Sequence, residues 1–484
     1  MVFSSPVFLF LFLPVVLLLV LSAGTLKARN TILTIASLFF YAWGETLYVV
    51  VMLGSILLNY LMGLWLGAAS TSSGRKIAIT VAVVSNLGLL AWFKYANFIV
   101  DNLAILLDGF DISMTTIDPV QLPIGISFFT FQSLSYVIDV YRREVPEQRK
   151  LGNLALYISL FPQLIAGPIV RYQDVMDQID DRRIDLEGFA IGARRFIIGL
   201  GKKLLIADHA ARVADTIYAI PEGAMPVSVA WLGALAYSIQ IYFDFSGYSD
   251  MAIGLGRMFG FHFLENFNFP FIARSIREFW QRWHISLTTW FRDYVYIPLG
   301  GSRGTTLMTY RNLLAIFFFT GLWHGASWNF VIWGLFHGMF LVIERLGWQK
   351  ILDKLPAPFG IVYMMIVLNV AWALFHTNDL ESAWNYMRSM FGTNPHGIGI
   401  NYLSFYLSND FVVVMILGAL ASTPLLRTVL ARMKVGLAER SVRVRAFSRS
   451  MYAISDVSVH ALILLLCAMH MASNTYAPFI YFRF

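Results

Sequence analysis

The chain has 484 residues, of which 58% are hydrophobic and only 13% charged. Soluble domains carry about 25% charged residues, so a water-facing exterior is excluded and the apolar runs recurring from end to end read as membrane spans. The net charge of +7 is spread between those runs rather than along one polar face, which argues against a nucleic-acid partner and for cytoplasmic loops enriched in Lys and Arg. The single cysteine, Cys467, can make no internal disulfide, and no Cys cluster suggests a metal site.

In chain order, Val7 to Leu21 is apolar, has no cation before it and is followed by Lys27 and Arg29. A cleavable signal needs a positive leading region, so the expectation is a retained first span with its N-terminus outside. Asn30 to Trp43 and Leu47 to Leu66 form a tight pair, and Arg75 and Lys76 precede Ile77 to Phe93. Lys94 to Asp118, with four Asp residues, is expected outside, and Pro123 to Tyr141 returns the chain to Arg142, Arg143, Arg149 and Lys150. Alternating sides places all three basic loops in the cytoplasm.

Leu151 to Val170 is interrupted by Pro162, Gly167 and Pro168, the pattern of a discontinuous segment shielded by protein. Gly188 to Ala207 mixes Arg194, Arg195, Lys202 and Lys203 with apolar residues and reads as an interfacial amphipathic helix. Its cations are candidates for attracting donor phosphates, or equally for headgroup contact. Val227 to Phe243 reads as a span, and Asn312 to Leu346 is too long for one helix and should break near Gly321 to Gly325. Phe359 to Phe375, Phe411 to Leu426 and Val457 to Ala472 follow, with Arg427 to Arg449 holding seven cations against one Glu as a cytoplasmic loop. The expected fold is all-α: a polytopic transmembrane helical bundle of about eleven membrane-embedded segments, in one membrane domain over residues 1–484.

Ionisable groups at membrane depth mark function because burying them is costly, and they concentrate between Asp244 and His337. The first group is Asp244, Ser246, Tyr248 and Asp250, at the end of an apolar span; it suits either helix capping or the polar wall of a substrate cavity. The second is Glu265-Asn266-Phe267 and then Ser275 to Tyr294, whose Trp280, Trp283, Trp290 and Tyr294 recur at helical spacing and suggest a helix lying at the headgroup level; it carries His284. The third is Thr320 to Phe330, where His324 stands alone in an apolar run between Gly321 and Gly325, with Trp323, Ser327 and Asn329 nearby. A buried imidazole can simply bond a carbonyl. Glycines on both sides favour access to a cavity, and imidazole suits proton abstraction from a hydroxyl. His337, about 220° further round a straight helix, is not expected in that site.

Arg282-Trp283-His284 and Trp323-His324-Gly325 resemble the signature of the membrane-bound O-acyltransferases. So do Pro123 to Phe128, Phe161-Pro162-Gln163 with Ala166-Gly167-Pro168, and Tyr242 to Asp250. The resemblance is nearest to the branch that acetylates bacterial exopolysaccharides such as alginate, and covers residues 1 to about 375; the remaining helices, 376–484, match loosely. It implies a helical bundle around a central tunnel in the bacterial inner membrane, with His324 as base or acyl relay and His284 supporting it. An acyl-coenzyme A donor, expected to be acetyl-CoA, would enter from the cytoplasm as substrate, with no bound cofactor. The acetyl group would pass to periplasmic acetyltransferase partner proteins of a polysaccharide-modification complex. Asp244 and Asp250 are candidates to orient an imidazole or bind acceptor hydroxyls. Acetylation of cellulose or another glycan is an open alternative, and a polysaccharide or acyl-group transporter is the rival of a different class. Against transport stand the lack of a repeat between halves and the clustering of ionisable groups around two histidines.

Overall fold

The computed structural model describes residues 1–115, 117–221, 225–393, 402–425, 428–429 and 442–473, with backbone alone for 442–450 and 452. Every regular element among them is helical. The chain runs through α1 (Leu13–Ser22), α2 (Leu26–Ala42), α3 (Tyr48–Ala68) and α4 (Ser72–Leu90), which continues by a π-helical turn, Ala91–Tyr95, into α5 (Ala96–Asp108). α6 (Ile126–Arg142), α7 (Leu151–Ser159), α8 (Phe161–Leu164) and α9 (Tyr172–Asp180) follow. α10 (Leu186–Gly201) passes through a π-helical stretch, Lys202–Ala207, into α11 (Asp208–Tyr218), and α12 spans Val227–Met258. After the short α13 (Ile276–Arg282) and α14 (Ile285–Phe291) come α15 (Thr306–His324), α16 (Trp328–Ile343), α17 (Gln349–Leu352), α18 (Ala357–His376), α19 (Leu380–Met390), α20 (Asn409–Ala421) and α21 (Val442–Ser473).

Among the described residues five helices are long and apolar enough to cross a membrane: Tyr48–Ala68, Ser72–Asp108, Trp328–Leu352, Ala357–His376 and Ala453–Ser473. Phe8–Ser22 and Asn409–Ala421 are shorter apolar helices. Their lipid-facing sides carry exposed Leu, Ile, Val and Phe, as a bilayer solvent requires.

The basic loops gather at one end of the bundle. Arg75 donates to the carbonyls of Leu66, Val140 and Tyr141, Arg142 donates to the Asp293 carbonyl, and Lys150 pairs with Asp180. Asn30, just past Lys27 and Arg29, donates to Ile179 O at the same end. By the positive-inside rule this end is cytoplasmic. At the other end Asn97 bonds the carbonyls of Ile117 and Asp118, Trp328 bonds Asn102, and Asn329 bonds Thr377.

The interior is organised around α6 and α12, both buried along most of their length. α12 does not stop at Phe243. It runs 32 residues to Met258 and carries Asp244, Ser246, Tyr248 and Asp250 inside the helix, which rules out capping as their role. The helix continues because α10 and the stretch after it supply partners. Lys203 lies 2.7 Å from Asp244 and 2.8 Å from Asp208, and Asp250 takes Lys202 at 2.6 Å and Arg195 at 2.8 Å.

The same contacts correct the reading of 188–207 as interfacial. α10 lies against α12 so closely that a methyl on Gly199 would stand 2.5 Å from the Gly247 carbonyl oxygen, the small-residue approach of membrane helix pairs. Its cations pair with carboxylates of the protein, Arg194 with Asp456 included. Residues 275–294 are also not one interfacial helix. They form α13 and α14 with a break at Trp283–His284, and Trp280, Trp283, Trp290 and Tyr294 are buried in protein. The predicted loop 427–449 falls largely outside the described residues, and its part from Val442 on is helical.

Candidate functional site

His324 is the last residue of α15, and the chain then turns through Gly325 to Ser327 into α16. The predicted break near Gly321 to Gly325 is present, and its consequence is a tight helical hairpin. Gly321 lies against the Phe330 carbonyl and Gly334 against the Phe317 carbonyl, so a side chain at either position would collide with backbone. Because the helix ends at His324, Ser327 and Trp328 do not share its face as a straight helix would have placed them. The imidazole is 4% exposed, edge-on to Trp333 at 4.9 Å, Phe375 at 5.2 Å and Trp323 at 5.0 Å between centroids. His337 lies behind Trp333, 5.0 Å from that ring; one indole separates it from His324.

His284 sits at the break between α13 and α14, fully buried, with φ at +43°. A non-glycine residue in this left-handed region is held by its surroundings, and here the holder is Asn266. Its Oδ1 is 3.3 Å from His284 Nδ1 and accepts from the Ser286 amide and hydroxyl, its carbonyl accepts from Ile285, and its Nδ2 donates to Ser249. The His284 ring meets Phe245 at 4.6 Å and Trp323 at 5.9 Å. Trp323 thus lies between the two histidines, touching both.

The structure brings His284, His324 and Trp323 together. Ser327 lines a cavity beside His324, Asn329 is buried and bonds Thr377 O, and Trp283 is buried against Phe267 and Phe279. Asp244 and Tyr248 face a different space of about 10 Å³ against Val2, Phe3 and Ser4, room for about one water. Ser246 is buried in the interior of α12. The Asp250 carboxylate is held by Arg195 and Lys202 and is a bundle-closing ion pair, not an orienter of either imidazole.

Two cavities of useful size flank the histidines. At the end opposite the basic loops a cavity of about 300 Å³ is lined by Gly325 to Ser327, Phe330, Phe375 to Asn378, Tyr237, Leu122 and Lys94. At the cytoplasmic end one of about 500 Å³ is lined by Arg142, Glu144, Arg171, Gln173, Asp293, Tyr294, Ile297 and Pro298. Burial pushes the Asp293 carboxyl up, but the hydrogen bond and charge of Arg292 and the charge of Arg171 outweigh it and hold it below the usual carboxylate range. Asp293 is therefore ionised at neutral pH and pairs with Arg171 at 2.9 Å.

A continuous aromatic column joins the two. Tyr294 packs on Trp290 at 5.1 Å, Trp290 stacks on Phe131 at 3.8 Å, Phe131 meets Trp323 at 5.7 Å, and Trp323 meets His324. Tyr294 is anchored below by Asp139, whose two oxygens accept its hydroxyl at 2.8 and 2.9 Å.

Sequence reasoning missed three contributors, Lys94, Tyr95 and the Arg142–Arg171 pair, and gave Asn266, within the second polar group, no role of its own. Lys94 was assigned to an outside loop, yet it lies on the π-helical turn and reaches the end of α15. The available signal was an unaccompanied Lys-Tyr at the end of an apolar run.

The membrane-bound O-acyltransferase family model matches residues 39–377. The chain is 41% identical to the probable alginate O-acetylase AlgI of Azotobacter vinelandii, with 100% of both chains covered. It is 47% identical to the probable alginate O-acetylase AlgI of Pseudomonas aeruginosa over 81% of this chain and 75% of that one. A peptidoglycan O-acetyltransferase of Helicobacter pylori is 36% identical over 84% of this chain and 82% of its own.

Proposed function

This chain belongs to the membrane-bound O-acyltransferase family, and we propose that it O-acetylates an exopolysaccharide such as alginate, drawing the acetyl group from a cytoplasmic donor. It is a multi-pass inner-membrane acyltransferase. The observation that carries the reading is His324, buried behind Gly325 and Phe375 of the periplasmic-end cavity and joined by the Trp323–Phe131–Trp290–Tyr294 column to a cytoplasmic-end cavity bearing two arginines.

The donor is acetyl-CoA, a substrate rather than a resident cofactor. Arg142 and Arg171 meet its phosphates, because guanidinium groups match phosphate oxygens in geometry and charge. The thioester end reaches the histidines when rings of the column move aside. His324 takes the proton of the acceptor hydroxyl, the oxygen attacks the thioester carbonyl, the C–S bond breaks, and the thiolate leaves with that proton as free thiol. General-base assistance is worth about 10² to 10⁴ in rate. His284, fixed by Asn266 and sharing Trp323 with His324, orients the reacting groups. The acceptor is a hydroxyl of the glycan or of a periplasmic acetyltransferase partner that hands the group on.

The test is the acetyl content of the exported polymer, identified by composition, in cells carrying His324→Ala, with membrane abundance of the variant measured in parallel. Loss of acetylation at normal abundance and normal export supports the reading. Retained acetylation removes His324 as the base, and lost export with unaltered acetylation of residual polymer favours a transporter.

A further inference from the structure

α15 delivers His324 from its very last residue, and helix ends are where backbone geometry is least constrained, since the final carbonyls have no intrahelical donor. At membrane depth water does not supply one. Here the donors come from the turn between α4 and α5. Tyr95 Oη donates to Leu322 O at 2.7 Å, and Lys94 Nζ donates to Trp323 O and reaches His324 O at 3.3 Å and Ser127 Oγ at 3.4 Å. Three consecutive carbonyls, the last of them that of His324 itself, are thus gripped by two adjacent side chains.

The local structure is built for this. Ala91–Tyr95 is a π-helical turn inside a helix that otherwise runs from Ser72 to Asp108. The inserted residue re-aims the side chains that follow it, and such turns recur at functional sites. An ammonium at the carboxyl end of a helix also complements the negative pole of the helix dipole. Lys94 further lines the cavity into which the chain turns after His324. A lysine that ends an apolar segment without snorkelling to the surface is costly to keep there.

We propose that Lys94 is a positioning residue of the acyl-transfer site: with Tyr95 it fixes the carboxyl end of α15 and so the direction in which His324 meets the reacting groups. This rests on the assignment of His324 as the base. The role is not chemical. Lys94 acts through His324, and its loss loosens the imidazole without removing the donor's binding groups, which lie at the other end of the bundle.

The experiment is steady-state release of free thiol from acetyl-CoA by detergent-permeabilised membranes of the polymer-producing cells, carrying the full chain and supplied with unacetylated polymer as acceptor, for native, K94M, K94R, Y95F and His324→Ala proteins. Thermal stability in the same detergent is measured alongside. A misplacement of about 1 Å costs roughly 10²-fold. Expected is a 10- to 100-fold lower kcat in K94M with KM for acetyl-CoA within about twofold of native, and K94R within about threefold of native kcat. Y95F, which keeps Lys94, loses only a few-fold and carries the test together with K94R if K94M fails to accumulate. A K94M enzyme with native kcat, a loss residing in KM, or a K94R as inactive as K94M overturns the proposal. Activity surviving in His324→Ala sinks the base assignment itself, whereas a dead His324→Ala beside a fully active K94M sinks the role of Lys94 alone.

Discussion

Asn266 spends its side-chain oxygen, side-chain amide and backbone carbonyl on the neighbourhood of His284: the side-chain oxygen on His284, Ser286 N and Ser286 Oγ, the amide on Ser249, the carbonyl on Ile285. Removing that grip leaves a buried imidazole at positive φ without its holder, and several buried polar groups without partners. Asn266→Ala is expected to lower kcat by about 10- to 100-fold, with Asn266→Asp, which keeps an acceptor oxygen, less affected. Thiol release from acetyl-CoA measures it, and a native kcat in Asn266→Ala would leave His284 without a fixed role. Both histidines were legible in the sequence because an ionisable group in an apolar run is conspicuous. The role of Asn266 and the place of Lys94 were not. Asn266 falls in the polar stretch ahead of His284 but in an irregular connection, where spacing gives a polar residue no role, and Lys94 ends an apolar run where a loop lysine looks the same. Their importance comes from contacts across 20 and 229 residues of chain.

Two elements depend on close approach and buried charge. In the α15–α16 hairpin, Gly334→Val would drive a branched side chain into the Phe317 carbonyl; overpacking of this kind costs about 1–3 kcal/mol, occasionally more. The expected outcome is a lower melting temperature in detergent with activity falling in step, because the hairpin that presents His324 opens. In the α10–α12 pair, Lys203 lies between Asp208 and Asp244, with all three side chains buried. Lys203→Met leaves carboxylates buried without their cation, expected to cost about 3–5 kcal/mol. Adding Asp244→Asn should recover part of it; a double variant no more stable than the single one would show that the pair is not coupled. The same charges explain why α12 was misjudged from sequence. Hydropathy ends the span at Phe243 because it counts Asp244 and Asp250 as costs, while the structure neutralises them from a helix some fifty residues earlier. The spans that contain no Asp, Glu, Lys or Arg, such as Tyr48–Ala68 and Ala357–His376, were read to within a few residues.

Across the whole molecule, the two cavities differ in chemistry as well as in side. The cytoplasmic-end cavity is rimmed by Arg142 and Arg171, each stacked over Tyr294 at 5.2 and 5.5 Å. The periplasmic-end cavity carries Ser327, Thr377 and Asn378, hydroxyl and amide groups suited to a carbohydrate or a serine acceptor. If the donor binds where the arginines are, an impermeant donor must act from one face only. Sealed inverted vesicles, with the cytoplasmic end outward, are expected to release thiol from added acetyl-CoA, and sealed right-side-out vesicles are not until detergent is added. Arg171→Ala should then raise KM for acetyl-CoA by about tenfold with little change in kcat, the pattern of lost uniform binding. The effect should shrink as salt rises, because a partly exposed phosphate contact is screened. Thiol release from sealed right-side-out vesicles alone would place the donor on the periplasmic side and reverse the direction of transfer, and equal release from both orientations would overturn a one-sided donor site. A loss in Arg171→Ala confined to kcat would instead tie Arg171, through Asp293 and Tyr294, to the packing of the column that separates the cavities.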